Sequence, residues 1–287
     1  MNGILLVDKP EGWTSMDVCA KLRGMLHTKR IGHSGTLDPM ATGLLVVFAG
    51  RATRGVQFAE NDEKEYVATL RLGLKTDTQD TTGNTLEEKC VCVSDEELTS
   101  VLDKFRGEID QIPPMYSAIK INGQKLYDIA RRGGEVERKS RRVTIFELEA
   151  LSRNGNDVSL RVKCSKGTYI HSLCNDIGEE LGCGGCMASL RRTYAGKFSL
   201  KDAYTMEQLV SCEADLESFM LPLESLFADR KRVMLSPNQE KIIRNGGEFT
   251  CSHPEGEYTA FSEGGEFLAL CRVSEGKMRV IKSFYEV

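Results

Sequence analysis

The sequence predicts an α+β fold with a mixed, largely antiparallel sheet, flanking helices and a small β-rich C-terminal domain. Strand and helix patterns alternate irregularly along the chain, whereas a doubly wound parallel fold alternates them regularly. Two strand-like segments, 143–151 and 157–164, flank an Asn-Gly-Asn sequence that favours a hairpin turn. Three more strand-like runs come close together near the C-terminal end. We therefore expect a main domain over residues 1–230 and a small β-rich domain over 231–287.

The first half of the chain shows three element patterns and one loop. Apolar residues at helical spacing predict a helix over 15–27, which Ser15 can cap. Alternating residues predict a strand over 66–72, and the Thr-, Asp- and Gly-rich segment 76–85 is expected to be a long loop. Ser94, with a Glu three residues later, forms a capping-box pattern, so a second helix is expected to start there.

The second half continues the same irregular alternation. Glycines mark the expected ends of its helices, and glycine-rich turns separate its strands. The predicted elements are a strand over 118–121, helices over 125–132, 168–181 and 236–245, and strands over 257–262, 267–273 and 278–284.

Composition places the chain among globular proteins with a sizeable core. It has 287 residues, of which 40% are hydrophobic and 28% are charged. The apolar run at residues 4–7 is too short for a signal peptide, and no later stretch is long enough to span a membrane. Ten cysteines without a signal peptide indicate reduced thiols and a cytoplasmic location. Two close cysteine pairs lack a nearby histidine, so we expect no metal.

One stretch, residues 32–43, places three glycines and a proline around a single carboxylate, that of Asp38. This composition favours a tight loop shaped by its backbone. Pro39 biases Asp38 toward extended backbone, and the apolar run 44–48 then predicts a strand buried on both faces. The alternative is a loop aspartate that forms an Asx turn, which is common beside Gly and Pro. Asp38 is a candidate catalytic carboxylate if the loop faces a cleft.

Charge is unevenly distributed along the chain. The formal net charge is −4. Residues 60–110 carry fourteen acids against six bases, whereas residues 118–146, hereafter the basic arm, carry eight Lys or Arg against three acids. Such a segment can track a phosphate backbone without reading sequence, although a solvated surface loop is the alternative. The candidate phosphate-binding residues are Arg131, Arg132, Arg141 and Arg142.

Five blocks of the sequence resemble one known family in the same order. Residues 32–43 resemble the aspartate motif of the bacterial tRNA pseudouridine-55 synthases, which isomerise a uridine in the T-loop of tRNA. The other blocks are Lys9-Pro10-Glu11-Gly12-Trp13-Thr14-Ser15, Glu65-Tyr66, Pro113-Pro114-Met115-Tyr116-Ser117-Ala118-Ile119-Lys120 and Cys164-Ser165-Lys166-Gly167-Thr168-Tyr169-Ile170-His171. The resemblance extends to about Arg192. It implies a sheet with a central cleft and a PUA-like RNA-binding domain at the C-terminal end.

The resemblance also assigns roles to individual residues. Asp38 becomes the catalytic carboxylate and Tyr66 the side chain that stacks on the flipped uracil. Tyr169 and Leu190 complete the uracil pocket, and His33 enters the T-loop. Lys9 and Pro10 brace the catalytic loop. Each of these side chains has an alternative place in the core, since tyrosines and leucines on strands and helices are usually buried.

One residue departs from the family pattern. Where the family has Arg after Thr-Tyr-Ile, this chain has His171. A buried Asp38 needs a cationic neighbour to stay ionised, and His171 occupies the matching position. Beside a carboxylate the pKa of His171 is expected above 6.5, unless burial outweighs the ion pair.

The implied reaction needs neither a redox step nor phosphate transfer, so we expect no cofactor. The expected partner is the T-arm of tRNA, no obligatory protein partner is implied, and a monomer is expected. Two other functions stay open at this point. One is a tRNA-binding or tRNA-folding chaperone that has lost catalysis, and the other is a small-molecule hydrolase or mutase that uses Asp38.

Overall fold

A large mixed sheet organises the fold in the computed structural model, which describes residues 2–60, 63–115, 120–121, 123–125, 129, 134 and 136–285. The predicted helix over 125–132, most of the predicted strand over 118–121, and both Arg131 and Arg132 lie outside the described residues. Residues 120–121 pair with residues 124–125 in a short antiparallel ladder.

The first fourteen strands form the large sheet and two small hairpins. They are β1 (Gly3–Lys9), β2 (Ile31–Ser34), β3 (Thr42–Ala49), β4 (Lys64–Leu72), β5 (Leu74–Thr76), β6 (Thr85–Glu88), β7 (Gly107–Gln111), β8 (Lys120–Ile121), β9 (Gln124–Lys125), β10 (Arg141–Asn154), β11 (Asp157–Cys164), β12 (Gly185–Ala195), β13 (Phe198–Ser199) and β14 (Tyr204–Thr205). The large sheet runs β14-β1-β3-β12-β4-β11-β10-β7, with β2 beside β3 and β13 beside β12. Among the described strands of this large sheet, only the β1–β14 and β12–β3 pairs are parallel, which confirms the predicted mixed, largely antiparallel sheet.

The described α-helices lie between and after these strands. They are α1 (Ser15–Met25), α2 (Val56–Ala59), α3 (Asp95–Lys104), α4 (Ile170–Glu180), α5 (Met206–Ser211) and α6 (Pro237–Arg244). The capping box predicted at Ser94 is confirmed, because Ser94 and Glu97 bond each other's backbone N–H groups.

The cap of α1 differs from the prediction. Thr14, not Ser15, is the N-cap, because its side chain and that of Asp17 form the reciprocal capping box one residue earlier. The Ser15 hydroxyl is thereby free to bond Leu37. It accepts from the Leu37 N–H at 2.8 Å and donates to the Leu37 carbonyl at 3.0 Å. Ser15 therefore ties α1 to the loop that carries Asp38.

Strand β12 is the main element that the sequence did not predict. It lies between β3 and β4 and continues the sheet from one half to the other. Two glycines near its start and register shifts along its pairing with β4 hide the alternation that marks a strand. Its Arg192 is only 1% exposed.

The core surrounds the sheet on both sides. In β1 and β3 alternate residues enter two different apolar clusters, so the strand predicted at 44–48 is indeed buried on both faces. In β4, β10 and β11 one face packs under α3 and α4. The site described below lies where these two halves meet at β12.

A second, five-stranded sheet forms a separate C-terminal β unit. Its strands are β15 (Lys231–Met234), β16 (Phe249–Thr250), β17 (Gly256–Phe261), β18 (Phe267–Ser274) and β19 (Lys277–Ser283), in the order β15-β17-β18-β19-β16. The three strands predicted there are confirmed as β17, β18 and β19. Phe267 and Phe284 pack on Phe227 of the main sheet unit. Within the part of the chain that the structure describes, no helix has the length and apolar character needed to cross a membrane.

Candidate active site

Asp38 lies in the loop between β2 and β3, and short backbone contacts fix that loop. Gly43 has φ +96°, and a Cβ there would lie 2.3 Å from the Arg192 carbonyl oxygen, so only glycine fits. The Ala41 N–H donates to the Asp38 carbonyl at 3.0 Å. Gly12 donates from its N–H to the Pro39 carbonyl at 2.8 Å, which ties the N-terminal segment to the loop.

Lys9 braces the same loop through hydrogen bonds to backbone carbonyls. Its fully buried ammonium donates to the carbonyls of Pro10 at 2.8 Å, Trp13 at 2.6 Å and Pro39 at 3.4 Å. Burial lowers the pKa of Lys9 to about 8, and the nearby Asp38 opposes that change. Lys9 does not line the cavity beside Asp38. The geometry thus fits a bracing role, as the resemblance implies for Lys9 and Pro10.

A cavity of about 300 Å³ opens beside Asp38. The loop that carries Asp38, strand β4, the start of α4 and strand β12 supply its walls. Five of the six residues expected to bind or transform a base line it: Asp38, Tyr66, Tyr169, His171 and Leu190. The sixth, His33, lies on β2 and does not line the cavity.

His33 is nonetheless a mostly buried side chain near the site. Its Nδ1 atom is buried and has no hydrogen-bond partner among the described residues. Burial lowers the pKa of His33, and the charge of Arg192 lowers it further. His33 is therefore a neutral imidazole at neutral pH.

Asp38 and His171 influence each other inside the cavity. Burial raises the pKa of Asp38, and the His171 charge opposes that rise. Burial also lowers the pKa of His171, against the attraction of Asp38. Desolvation therefore outweighs the ion pair for both groups, so the expected rise in the pKa of His171 does not occur. At neutral pH His171 is neutral, unlike an arginine.

Asp80 belongs to the same electrostatic group, although the sequence identified only a loop there. Its charge raises the pKa of both Asp38 and His171. The Asp80 carboxylate accepts from the Thr78 hydroxyl at 2.8 Å and from the N–H and hydroxyl of Thr82 at 2.8 and 2.6 Å. The repeated Thr and Asp residues were the available signal, because such side chains bond their own loop.

The loop that holds Asp80 is fastened to α4. The Ser172 hydroxyl donates to the Gln79 side-chain oxygen at 2.7 Å. Gln79 has φ +65°, and its carbonyl accepts from the Met187 N–H of β12 at 2.9 Å. The wall that presents His171 is thus bonded to the loop that presents Asp80.

Arg192 is a second residue whose role the sequence did not indicate. Its Nε donates to the Leu44 carbonyl at 2.6 Å and its Nη2 to the Gly35 carbonyl at 3.0 Å. Burial raises the pKa of the Tyr66 phenol, and the charge of Arg192 opposes that rise. This buried guanidinium therefore ties β3 to the loop that carries Asp38, at one wall of the cavity.

The other wall is built by the start of α4. Tyr169 is the N-cap of this helix, and its ring lies 5.7 Å from the His171 ring in an edge-to-face arrangement. Leu190 of β12 adds an apolar surface. The cavity thus offers two tyrosine rings, an imidazole and a leucine beside Asp38, a composition suited to a flat, partly polar ring.

The described part of the basic arm carries its own ion pairs. Arg142 donates to the Asp110 carboxylate at 2.9 and 3.0 Å and to the Glu108 carboxylate at 3.3 Å. All three side chains are exposed. Arg142 is therefore already paired with carboxylates in the free protein. Arg141, its neighbour, is also exposed.

Two family models match the chain. Residues 23–170 match "TruB family pseudouridylate synthase (N terminal domain)", and residues 172–228 match "tRNA pseudouridylate synthase B C-terminal domain". A relative from Clostridium kluyveri named tRNA pseudouridine synthase B is 38% identical over 290 residues, covering 99% of this chain and 100% of the relative. A relative of the same name from Azoarcus is 44% identical over 281 residues, covering 97% and 93%.

Solved structures share the fold. A Cbf5-Nop10-Gar1 complex matches with a TM-score of 0.74 and 27% identity, covering 99% of this chain and 85% of that one. An H/ACA RNP bound to a substrate RNA containing 2′-deoxyuridine matches with the same TM-score of 0.74, 25% identity and the same coverage of 99% and 85%. The family models cover more than half of the sequence, and relatives well above 30% identity span nearly all of it. The chain belongs to the TruB family of pseudouridylate synthases.

Proposed function

We propose that this chain isomerises uridine to pseudouridine in the T-loop of tRNA, at position 55. The observation that carries the proposal is the cavity in which Asp38, Tyr66, Tyr169, His171 and Leu190 meet. The name tRNA pseudouridine synthase B, shared by relatives that span nearly the whole chain, supports tRNA as the substrate.

The reaction sets clear demands on the site. The C1′–N1 bond breaks, the uracil rotates, a C1′–C5 bond forms, and the proton lost from C5 is balanced by one gained at N1. No electrons are transferred, so an ionised carboxylate in a site shielded from water is sufficient. Asp38 fills this role, either by attack on the sugar or base or by stabilising the separated fragments.

The base must leave the stack before it can react. Flipping costs a few kcal/mol, which contacts in the cavity recover. Stacking on Tyr66 contributes about 1–3 kcal/mol, and Tyr169 and Leu190 enclose the remaining ring surface. The Nδ1 atom of His171 has no partner among the described residues, so it is available to the uracil or to Asp38. His33 approaches the T-loop from β2.

Contacts outside the cavity hold the rest of the RNA. We assign phosphate binding to the basic arm, through Arg131, Arg132, Arg141 and Arg142. We divide the chain into a catalytic domain over 1–230 and a PUA-like RNA-binding domain over 231–287. The protein acts in the cytoplasm on the T-arm, as a monomer and without an obligatory protein partner.

The test is nucleoside analysis of a T-arm stem-loop RNA after incubation with purified protein. Pseudouridine is expected with the wild type and not with Asp38→Asn, which keeps the shape of the side chain but loses its charge. Binding of the RNA by both proteins without any product would instead identify a tRNA-binding chaperone. Binding that is insensitive to salt would contradict phosphate contacts, because these release counterions.

A further inference from the structure

Gln111 is a buried side chain that holds one wall of the cavity. It is the last residue of β7 and only 2% exposed. Its Nε2 donates to the Tyr169 carbonyl at 2.9 Å, and the Tyr169 N–H donates to its Oε1 at 2.8 Å. A backbone N–H can only donate and a carbonyl can only accept, so the two bonds fix the orientation of the amide.

This contact holds the residue at which α4 begins. Tyr169 is the N-cap of α4 but has no side-chain capping bond. Its carbonyl accepts the first helical bond, from the Leu173 N–H at 3.0 Å. Gln111 adds a second bond to that carbonyl and takes up the Tyr169 N–H. The backbone N–H and carbonyl of Tyr169 are therefore both held by the buried side-chain amide of Gln111.

The position of Tyr169 determines what the cavity presents. Tyr169 and His171 both line it, and their rings lie edge to face. Rotation of the Tyr169 backbone would move its ring and the first turn of α4 together. A misplacement of about 1 Å can cost about a hundredfold in rate.

We propose that Gln111 is a positioning residue for the isomerisation, acting through Tyr169 and His171. The proposal rests on the proposed function. Gln111 does not line the cavity. It pairs with Arg141 between β7 and β10, so it lies where the basic arm joins the sheet. The same residue thus anchors the start of α4 and the base of the arm.

The first test is Gln111→Met, which keeps the length of the side chain and removes both hydrogen bonds. The single-turnover rate at saturating enzyme is expected to fall about tenfold or more, while the Kd for a T-arm RNA changes less than about twofold. A purely structural residue would lower thermal stability without this split. A single-turnover rate within about twofold of the wild type would overturn the proposal.

We call the two hydrogen bonds between Gln111 and the Tyr169 backbone the clamp. The second test is Gln111→Glu, which makes the strength of the clamp depend on pH. A protonated carboxyl can donate to the Tyr169 carbonyl and accept from its N–H, whereas a carboxylate cannot donate. Burial and the facing carbonyl raise the pKa of such a group. The rate relative to wild type is therefore expected to be highest at low pH and to fall as pH rises. A depressed ratio that stays flat between about pH 5 and pH 9 would contradict the clamp.

Gln208→Glu is the matched control. The Gln208 Oε1 accepts from the Thr205 N–H at 2.8 Å in the capping box of α5, an exposed setting where Glu serves equally well. Its rate and pH profile are expected to match those of the wild type. A change in the pH dependence of the rate that appears in both Gln111→Glu and Gln208→Glu would not be caused by the loss of Gln111.

Amide exchange separates this proposal from the proposed function. The exchange of the Tyr169 N–H in the free protein is expected to accelerate at least about tenfold in Gln111→Met. Unchanged exchange would overturn the clamp whether or not the protein is active. Absence of pseudouridine with the wild type would contradict the proposed function, whereas a tenfold change in exchange would still establish that Gln111 holds Tyr169.

Discussion

Replacing His171 by Arg tests how the cavity keeps Asp38 ionised. Burial raises the pKa of Asp38 and lowers that of His171, so the wild type carries a neutral imidazole at neutral pH. Asp38 must lose its proton to react. Turnover is therefore expected to rise with pH through the raised pKa of Asp38 and then to stay level through neutral pH, without the decline near pH 6.5 that a required imidazolium would produce.

The size of the effect follows from the charge next to the carboxylate. A permanent opposite charge within about 4–6 Å lowers a carboxyl pKa by about 1–3 units. His171→Arg is thus expected to move the acid limb of the profile about 1–3 pH units lower, and each unit is about 1.36 kcal/mol. His171→Ala removes the imidazole without adding charge, so its acid limb is not expected to move lower.

The assay is the single-turnover rate on a T-arm RNA from about pH 4.5 to pH 9, a range that brackets the reference pKa values of Asp and His. Thermal melts at each pH identify any loss of folded protein. Acid limbs that coincide in the wild type and His171→Arg would refute the electrostatic reasoning. A wild-type decline above pH 6.5 that His171→Arg abolishes would show that the imidazolium, not the neutral imidazole, is the working form.

Three further predictions concern the carboxylate, the stacking ring and the RNA contacts. Asp38→Asn is expected to keep RNA affinity within about threefold and lower turnover by at least about 10³-fold, and turnover near the wild-type rate would remove Asp38 from the mechanism. Tyr66→Phe keeps the ring, so it is expected to retain far more turnover than Tyr66→Leu, and equal losses in both variants would assign the effect to the hydroxyl. Reversing the charges of Arg131 and Arg132 is expected to weaken RNA binding and to flatten the dependence of the binding constant on salt. Arg142→Ala removes a residue that is already paired with Asp110, so it is expected to change this salt dependence less. Identical salt dependence in all of these proteins would show that the arm is a solvated surface.

Much of the fold could be predicted because local signals agreed with tertiary packing. The capping box at Ser94 and the turn between β10 and β11 are encoded by neighbouring residues. Strand β12 could not be found this way, because glycines and register shifts break its alternation and its partners are distant in sequence. The cap at Thr14 was misassigned by one residue because Ser15 is an equally good capping type, and only its contact with Leu37 decides the matter.

Sequence motifs predicted which residues form the candidate site. They did not predict the charge states of its side chains, because these depend on burial. Asp38 and Tyr66 came from their motifs, and the structure places both in one cavity. The charge state of His171 depends on a competition between desolvation and Asp38, which requires three-dimensional burial. Arg192 bonds the Leu44 carbonyl, which is distant in sequence, so no local pattern points to its role. The Thr- and Asp-rich pattern around Asp80 indicates bonds within its own loop, but not that its charge acts on His171.

The most direct test of the account is a map of pseudouridine in unmodified tRNA transcripts after incubation with the purified protein. We expect a single new pseudouridine, at the T-loop uridine of position 55, with the wild type and none with Asp38→Asn. Pseudouridine at other positions only, or an unmodified T-loop with the wild type under conditions where the RNA is bound, would contradict the central claim.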